Sequence, residues 1–361
     1  MGRDQEHRPP SVKTFWRWLK RGLIAVVLLI LGLSAPVAYV ETACRPTGEP
    51  VPYQALLLAE YHRPESRTLL TYPEWDIVHA YDDYGRVLAT GDPHDFQFLK
   101  SISGFWGALC ALSKASGSHG QIDADTKQMV YVIGVSFTAE FLMKAAYEET
   151  IGRLFVMLRG DVRAPLDDLS AQQAESYANF LQQVPWYKWD FEGDRAALAA
   201  SATNALRDRE RNIALGLEYA AKAAYADVIA QAVAQVGPDA LTLRMIVRAP
   251  EAEAFDGFEG VTVIAHGNGA TEIETIRYRA LTHLMTKMAR SEVDFVEIAG
   301  NDDIMLTVLG RNATHPDAIY SRARQGADDY RHLIVMPVSR LAETLRGLEA
   351  SDTIVEHIHD Y

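Results

Sequence analysis

The chain has 361 residues, 48% of them hydrophobic and 23% charged, which is the composition of a globular protein long enough for two domains. Its formal net charge is −13 at pH 7. Such an acidic balance argues against nucleic acid or anionic lipid headgroups as partners, because both repel a negative surface.

The first predicted element is an apolar stretch at 22–39 that contains no charged residue. Its length is close to the roughly 20 residues that a helix needs to cross a bilayer. Residues 1–21 are rich in lysine and arginine, whereas Arg45 is the only basic residue in 40–60. This asymmetry predicts a signal-anchor: a cytoplasmic basic tail at 1–21, a single transmembrane helix at 22–39 in the bilayer of a bacterial inner membrane, and the bulk of the chain in the periplasm.

Two other interpretations of this stretch stay open. A cleaved signal peptide usually has a shorter apolar region followed by small residues, and the nearest such site, ending at Ala38, has Pro36 close to the cut. A lipid-attachment site ending at Cys44 would require an apolar residue where Glu41 stands.

The chain contains two cysteines, Cys44 and Cys110, and both fall on the predicted periplasmic side. An oxidising compartment permits a disulfide between them, and no CxxC or zinc-binding spacing competes with that interpretation. The alternative is that Cys110, on an apolar helix face, is a small core residue.

After a proline-containing stalk at 40–70, an all-α domain with long helices is predicted for 71–237. Thr71 and Glu74 have the spacing of a capping box, which predicts that a helix begins there. Asp92-Pro93 predicts the start of the next helix, with aspartate as the N-cap and proline in the first turn.

Two longer helices are predicted further along this domain. The first runs from about 125 to 158, and its segment 129–143 is apolar apart from Ser136, Thr138 and Glu140. A buried core helix is the main interpretation of that segment, with an interfacial segment or a second membrane span as alternatives. The second helix runs from about 194 to 236 and stops at Gly237-Pro238.

From residue 238 to 361 the hydrophobic period changes from helical to alternating, which predicts an α+β domain. Between the strands, Gly300-Asn301-Asp302 has the composition of a hairpin turn. The order of elements is the split βαβ pattern of a ferredoxin-like α+β sandwich, with an insertion between Gly310 and Arg331. The predicted strands cover 241–247, 261–265, 293–299, 303–309, 332–336 and 353–359, and the predicted helices cover 271–290, 316–327 and 339–349.

A glycine-rich loop is the first weak candidate for a ligand site. Its residues follow a predicted strand and precede a predicted helix, where free amides and the helix dipole can bind an anion. Against this interpretation, Glu272 and Glu274 in the following turn would repel phosphate, and a plain connecting turn is the alternative. The loop consists of His266, Gly267, Asn268 and Gly269.

The second weak candidate is a metal site on the last strand. His357 and His359 are two residues apart, so their side chains point to the same face of the strand. With Asp360 they could hold a metal, and surface histidines on a terminal strand are the alternative.

Three further patterns are weaker still. Glutamates on the 125–158 helix suggest a di-iron site, but the required Glu-x-x-His motif does not occur in the helical half. The aromatic cluster at 185–189 is more typical of a core or an interface than of a ligand site. Residues 312–314 match a glycosylation sequon, which short matches often produce by chance.

The sequence contains no nucleophile-elbow motif, so catalytic residues cannot be named, and no cofactor is expected. The expected function is that of an accessory, assembly or sensing protein that binds another membrane or periplasmic protein, a ligand, or further copies of itself. The alternative is a membrane-tethered enzyme with a site between the helical and α+β domains.

Overall fold

The computed structural model describes residues 12–63, 72–118, 122, 124–236, 241–249, 255, 257–267, 269–349 and 352–359. Helices and strands both occur among them, so the predicted α+β class is confirmed. The helices are α1 Val12–Ala43, α2 Tyr72–Thr90, α3 Phe98–Ala115, α4 Ala124–Tyr147, α5 Arg153–Arg159, α6 Pro165–Leu181, α7 Phe191–Ser201, α8 Leu206–Val236, α9 Arg279–Arg290 and α10 Val338–Glu349. The strands are β1 Thr242–Arg248, β2 Val261–Gly267, β3 Ala270–Ile276, β4 Asp294–Ile298, β5 Asp303–Gly310, β6 Ala318–Ala323, β7 Tyr330–Pro337 and β8 Ile354–His359.

Helix α1 joins the rest of the molecule through its last turns. Val37 packs against the helical core, while Val40 and Cys44 are buried within it. By length and composition, Leu19–Ala43 and Ala124–Arg159 are both apolar enough to cross a membrane, although a signal sequence or a core helix passes the same test.

The segment that follows α1 is held at both of its ends. A disulfide joins Cys44 to Cys110 on α3, with their Cα atoms 5.0 Å apart. Further along, the carboxylate of Glu297 on β4 accepts hydrogen bonds from the hydroxyl of Tyr53 at 2.5 Å and the amide of Leu57 at 2.8 Å. The stalk therefore runs across the surface from the helical part to the sheet part.

Of the two predicted helix starts, only the one at Asp92-Pro93 lies within the described residues. Thr71 lies outside the described residues, so the capping box with Glu74 stays a prediction. After Asp92 the chain first makes a short 3₁₀ turn at Pro93–Asp95, and α3 begins only at Phe98. The side chain of Asp95 accepts the Asp92 amide at 2.8 Å, which closes this turn.

The helix predicted over 125–158 is present as α4 and α5, joined by a π-helical turn at Glu148–Gly152. The single helix predicted over 194–236 is wrong, because α7 ends at Ser201 and α8 begins at Leu206. The carboxylate of Asp208 accepts the Thr203 amide at 3.0 Å, which caps the break. Thr and Asn favour such capping positions over helix interiors.

The α+β part is built from two units with the same topology, β1-β2-β3-α9-β4 and β5-β6-β7-α10-β8. Each unit forms a four-stranded antiparallel sheet, with strand orders β2-β3-β1-β4 (sheet A) and β6-β7-β5-β8 (sheet B). Each sheet has a register shift at the same place, between Ile246 and Val247 in sheet A and between Thr307 and Val308 in sheet B.

The ferredoxin-like prediction assumed a hairpin at Gly300-Asn301-Asp302, and that assumption is wrong. Strands β4 and β5 belong to different sheets. Ala299 and Gly300 both have positive φ angles, 50° and 82°, and this turn leads the chain out of sheet A. Two predicted helices are also corrected: 271–290 begins with strand β3, and 316–327 contains strand β6.

Sheet B lies between two hydrophobic cores. On one of its faces, Met305 and Leu333 belong to the core that α2, α3 and α4 form. On the other face, Leu306 and Ile334 belong to a second core with sheet A, α9 and α10. Helix α9 contacts β8 and α10 contacts β4, so each unit's helix packs against the other unit's sheet.

Candidate functional site

The predicted glycine-rich loop is the turn of the β2–β3 hairpin and not a strand-to-helix connection. Strand β3 begins at Ala270, directly after Gly269, so no helix dipole points at this loop. His266 lies on β2 with its Nδ1 atom 3.0 Å from the hydroxyl of Thr271, and Asn268 lies outside the described residues. The structural reason for expecting an anion at this loop is therefore absent.

The two histidines of β8 share one face, as the spacing predicts, but they are not on the surface. The exposed fractions of His357 and His359 are 2% and 1%. The His357 ring stacks on Trp75 with the ring centroids 3.5 Å apart, and His359 meets Tyr72 edge-on at 5.2 Å. The interpretation as surface histidines is therefore wrong.

Burial keeps these histidines neutral. It lowers the pKa of His359 to about 3 and lowers that of His357 well below its usual value. Asp360, the predicted third ligand, lies outside the described residues, and within the described part no three His, Cys, Asp or Glu side chains are placed to hold a metal ion. The metal site stays a prediction without geometric support.

Near these histidines, α2 is fixed to sheet B by buried ion pairs that the sequence analysis missed. Asp76 is fully buried and is bound by both terminal nitrogens of Arg322, at 3.0 and 3.1 Å. Burial raises the pKa of Asp76, and the charge of Arg322 opposes that shift. Beside this pair, Arg331 holds the carboxylate of Glu356 at 2.5 and 2.7 Å.

The loop between β6 and β7 completes this connection. Gln325 donates its amide to Asp83 at 3.1 Å, and its side-chain carbonyl accepts the Gln97 amide at 2.7 Å. The signal in the sequence is the spacing of Asp76, His79 and Asp83, which places three polar groups along one side of α2. This cluster joins the helical part to sheet B, the region where the alternative interpretation places an enzyme site between the two domains.

A second polar cluster lies inside the helical part, where α4 and α8 run side by side. The ammonium group of Lys222 is 2.9 Å from Glu140, 3.1 Å from Glu218 and 3.1 Å from the Tyr81 hydroxyl. Lys144 binds the same carboxylate oxygen of Glu218 at 2.8 Å. Two lysines and two glutamates therefore alternate across this helix pair.

A cavity of about 30 Å³ opens beside this cluster. Its walls are aromatic and charged, and they include Tyr84, Tyr177, Trp189, Glu218 and Lys222. A volume of this size holds one or two water molecules. Trp189, from the predicted aromatic cluster at 185–189, donates its indole N–H to Asp194 at 2.7 Å in this wall.

The charges around the cavity are fixed at neutral pH. Burial alone would raise the pKa of Glu218, but Lys144 and Lys222 outweigh it and lower that pKa to about 2. The neighbouring carboxylates raise the pKa of Lys222 well above its usual value, against the effect of burial. A general acid or base needs a pKa near the working pH, so these groups suit electrostatic binding better than proton transfer.

The glutamates considered for a di-iron site do not converge in the structure. Each pairs with a different cation: Glu140 with Lys222, Glu148 with Arg211 and Glu149 with Arg153. Among the described residues, His266 contacts Thr271 within its own hairpin, and no contact joins it to these carboxylates. The polar cluster around Lys222 is thus the best candidate site in the described part of the chain.

Comparison with known proteins adds no relative: the chain matches no protein-family model, no curated protein sequence and no solved structure.

Proposed function

We propose that the chain is a single-pass protein of a bacterial inner membrane, anchored by α1, with its folded part in the periplasm. It acts by binding another protein or a ligand, as an accessory, assembly or sensing component of a membrane complex. The observation that carries this proposal is the direct continuation of the apolar helix into the folded core.

Helix α1 does not end before the domain begins. Val40 and Cys44 are 3% and 1% exposed, so the turns after Ala38 belong to the core of the helical part. A signal peptidase cutting after Ala38 would act inside a helix whose next turn is packed. This arrangement supports an uncleaved anchor over a cleaved signal peptide.

The disulfide supports a periplasmic location of the folded part. Disulfides persist in oxidising compartments such as the bacterial periplasm. The bond between Cys44 and Cys110 also ties the end of the anchor to α3, so the domain is held at a fixed place beside the membrane. A fixed placement of this kind suits a protein that presents a binding surface to a membrane partner.

Binding is favoured over catalysis by the electrostatics of the candidate site. The groups around Lys222 keep one charge state near pH 7, because Glu218 has a lowered pKa and Lys222 a raised one. Such a site can hold a polar ligand group or ordered water without exchanging protons.

Topology is tested with two reporters, each fused after Tyr361 in a separate fusion protein. An alkaline phosphatase fusion should be active, whereas a fluorescent protein that folds only in the cytoplasm should be dark. The reverse result would contradict the single-span topology and favour 129–143 as a second span. The intact mass of the purified chain should include residues 1–38, and a mature chain that begins after Ala38 would refute the anchor.

Binding is tested by purification in a mild detergent followed by mass spectrometry. A stoichiometric partner that remains bound supports an accessory or assembly role, and a defined homo-oligomer supports self-association. A monomer that turns over a small molecule without any partner would overturn the proposal in favour of a tethered enzyme.

A further inference from the structure

The exposed side of α4 and α5 is unusually apolar for a domain in water. Between residues 129 and 158, the only exposed charged side chains are Glu149 and Arg153, and they pair with each other at 2.8 Å. Large apolar side chains occupy most of the rest of this surface, and Met143 is 68% exposed. Extended apolar patches of this kind mark contact surfaces.

Helix α8 continues the same surface. It runs antiparallel to α4, because Glu140 pairs with Lys222 while Lys144 pairs with Glu218. Helical spacing places the exposed apolar residues of both helices on the same side of this pair, opposite the buried core. We call this surface the apolar face; it comprises Met129, Val132, Met143, Ile151 and Leu158 together with Ile213, Leu217, Ala221 and Ala224.

The opposite side of the bundle has the usual composition of a surface in water. The exposed side chains of α6 are polar beyond its first residue, among them Asp168, Gln172, Glu175 and Asn179. The bundle therefore has one apolar and one polar side. This contrast within one domain shows that the apolar face is not a general property of its surface.

Charged side chains are concentrated inside the bundle and are paired there. Arg211 is 1% exposed and binds Glu148 at 2.9 Å, and Arg207 binds the buried Asp167 at 2.8 Å. Helices that face lipid keep their ionisable groups towards the protein interior and pair them with one another. Between residues 129 and 158 the bundle follows this pattern apart from Glu149 and Arg153, whereas α8 also has the exposed Arg209 and Asp227.

The direction of α1 relates the apolar face to the membrane. The chain after α1 follows α3 in the same direction, since Cys44 is bonded to Cys110 and the Val51 amide donates to Ser118 at 2.8 Å. Helices α3 and α4 are antiparallel, as the Trp106–Thr138 hydrogen bond at 2.9 Å and the contact of Phe98 with Phe141 indicate. Going back along α1 towards its N-terminus therefore leads towards the end of the bundle where α4 passes into α5.

In the topology proposed above, the same end of the bundle lies at membrane depth. Val37 is inside the predicted span 22–39 and already packs against the helical core. At about 1.5 Å per residue, the helix between Val37 and Cys44 covers about 10 Å, and residues before Val37 lie deeper in the bilayer. Met143, beside the start of α3, is therefore on the membrane side of Val37.

We propose that the apolar face contacts the acyl region of the bilayer that holds α1, so that part of the helical domain is embedded in the membrane. This inference rests on the anchor in the proposed function and adds a second lipid contact to it. The occupant of the face is the acyl region, which agrees with the acidic net charge because no headgroup attraction is required.

The test uses single cysteines in the full-length protein, whose native cysteines are both in the disulfide. Met143→Cys and Leu217→Cys place a thiol on the apolar face, Gln172→Cys and Asn179→Cys place one on the polar side, and Leu28→Cys places one on α1. Each variant is labelled with an environment-sensitive dye and reconstituted into phosphatidylethanolamine–phosphatidylglycerol vesicles. Quenching is measured with acyl-chain nitroxide lipids and, separately, with iodide.

The labels at residues 143 and 217 should emit at shorter wavelength than those at 172 and 179, lose intensity to the nitroxide lipids and resist iodide. The polar-side labels should show the reverse. Quenching of 143 and 217 by iodide, with the label at residue 28 quenched by lipid, would overturn this inference and leave the anchor intact. Protection of 143 and 217 from both quenchers would also overturn it, because a protein partner or second copy would then cover the face. A label at residue 28 that nitroxide lipids do not quench would instead refute the anchor.

Discussion

The ion cluster around Glu218 gives the sharpest prediction about stability. Its carboxylate oxygen is shared by Lys144 at 2.8 Å and Lys222 at 3.1 Å, and its side chain is 21% exposed. Glu218→Gln keeps the size of the side chain but leaves two ammonium groups facing a neutral amide. Removing one partner of a buried ion pair costs about 3 kcal/mol or more, a large part of the stability of an ordinary domain.

The pH dependence gives the same prediction a second readout. The pKa of Glu218 is lowered to about 2 in the folded state from an ordinary value near 4.5. Its stabilising effect is therefore complete above the unfolded value and is lost as the pH falls towards the folded one. The stability difference between the native protein and Glu218→Gln should be largest near pH 7 and should shrink from pH 5 downwards.

The assay is urea unfolding in detergent micelles, followed by circular dichroism at several pH values. Glu192→Gln is the matched control, because Glu192 is 63% exposed and pairs with Arg195 at 3.3 Å in the same domain. An exposed pair of this kind contributes less than about 1 kcal/mol. Equal effects of the two substitutions, or a pH-independent effect of Glu218→Gln, would refute the assignment of a structural charge cluster.

Three further predictions concern other parts of the fold. Cys44→Ser removes the disulfide between two cysteines that are 66 residues apart, which should lower the free energy of unfolding by about 4 kcal/mol. The variant should also migrate differently from the native protein on a non-reducing gel, and identical mobility would contradict the disulfide. The pKa of His359 is about 3 in the folded protein, so this group should lower the free energy of unfolding by about 2 kcal/mol as the pH falls from 7 to 5. In urea titrations, His359→Phe should make the free energy of unfolding less dependent on pH in this range. An unchanged pH dependence would contradict the burial of a neutral ring. Gly134→Ala would place a Cβ 2.5 Å from Phe105 and should lower the free energy of unfolding by about 1–3 kcal/mol. Gly216→Ala meets no atom within 4 Å and should stabilise α8 by up to about 1 kcal/mol, so thermal unfolding of both variants separates the effect of packing from that of helix propensity. A Gly134→Ala variant as stable as the native protein would show that α3 and α4 are not in close contact.

Local patterns predicted most of the helical half. The start signal at Asp92-Pro93 and the apolar segment 129–143 located α3 and the α4–α5 helix close to their observed positions. The break before Asp208 was missed, because alanines on both sides read as one helix and the capping of Thr203 by Asp208 becomes visible only in three dimensions. Helix propensity alone does not show where a helix stops when its end is held by a residue further along the chain.

The missed strand β3 has a different cause. Residues 271–274 match a capping box, but residues 271–276 also alternate, with Ile273 in the core and Glu272 and Glu274 outside. The two patterns compete over the same residues, and pairing with β1 and β2 on both sides decides for the strand. Single-sequence reasoning has no access to those partners, which is why propensity in strands depends so strongly on context.

For the candidate site residues too, local patterns predicted the features that depend on neighbours in the sequence and missed those that depend on distant residues. Position on one strand correctly placed His357 and His359 on a common face, because that follows from the period of a strand. The burial of the two histidines could not be predicted from the strand, because Trp75, on which His357 stacks, is almost 300 residues earlier in the chain. The pairing of Asp76 with Arg322 likewise joins the two halves across 246 residues, and no local pattern encodes such a contact.

The repeated unit shows how surroundings and not topology decide the surface of a sheet. The pairing of β1 with β3 in the first unit matches the pairing of β5 with β7 in the second, so three outward-facing positions of sheet A correspond to three positions of sheet B. The side chains at these corresponding positions differ completely. In sheet A these positions hold Arg244, Glu272 and Glu274, and in sheet B they hold Met305, Val335 and Leu333. The charged set forms ion pairs at the surface, whereas the apolar set joins the helical core. The same backbone topology therefore carries two different outward faces, because helices of the helical part cover this face only in sheet B. A repeat of this kind leaves little trace in the sequence.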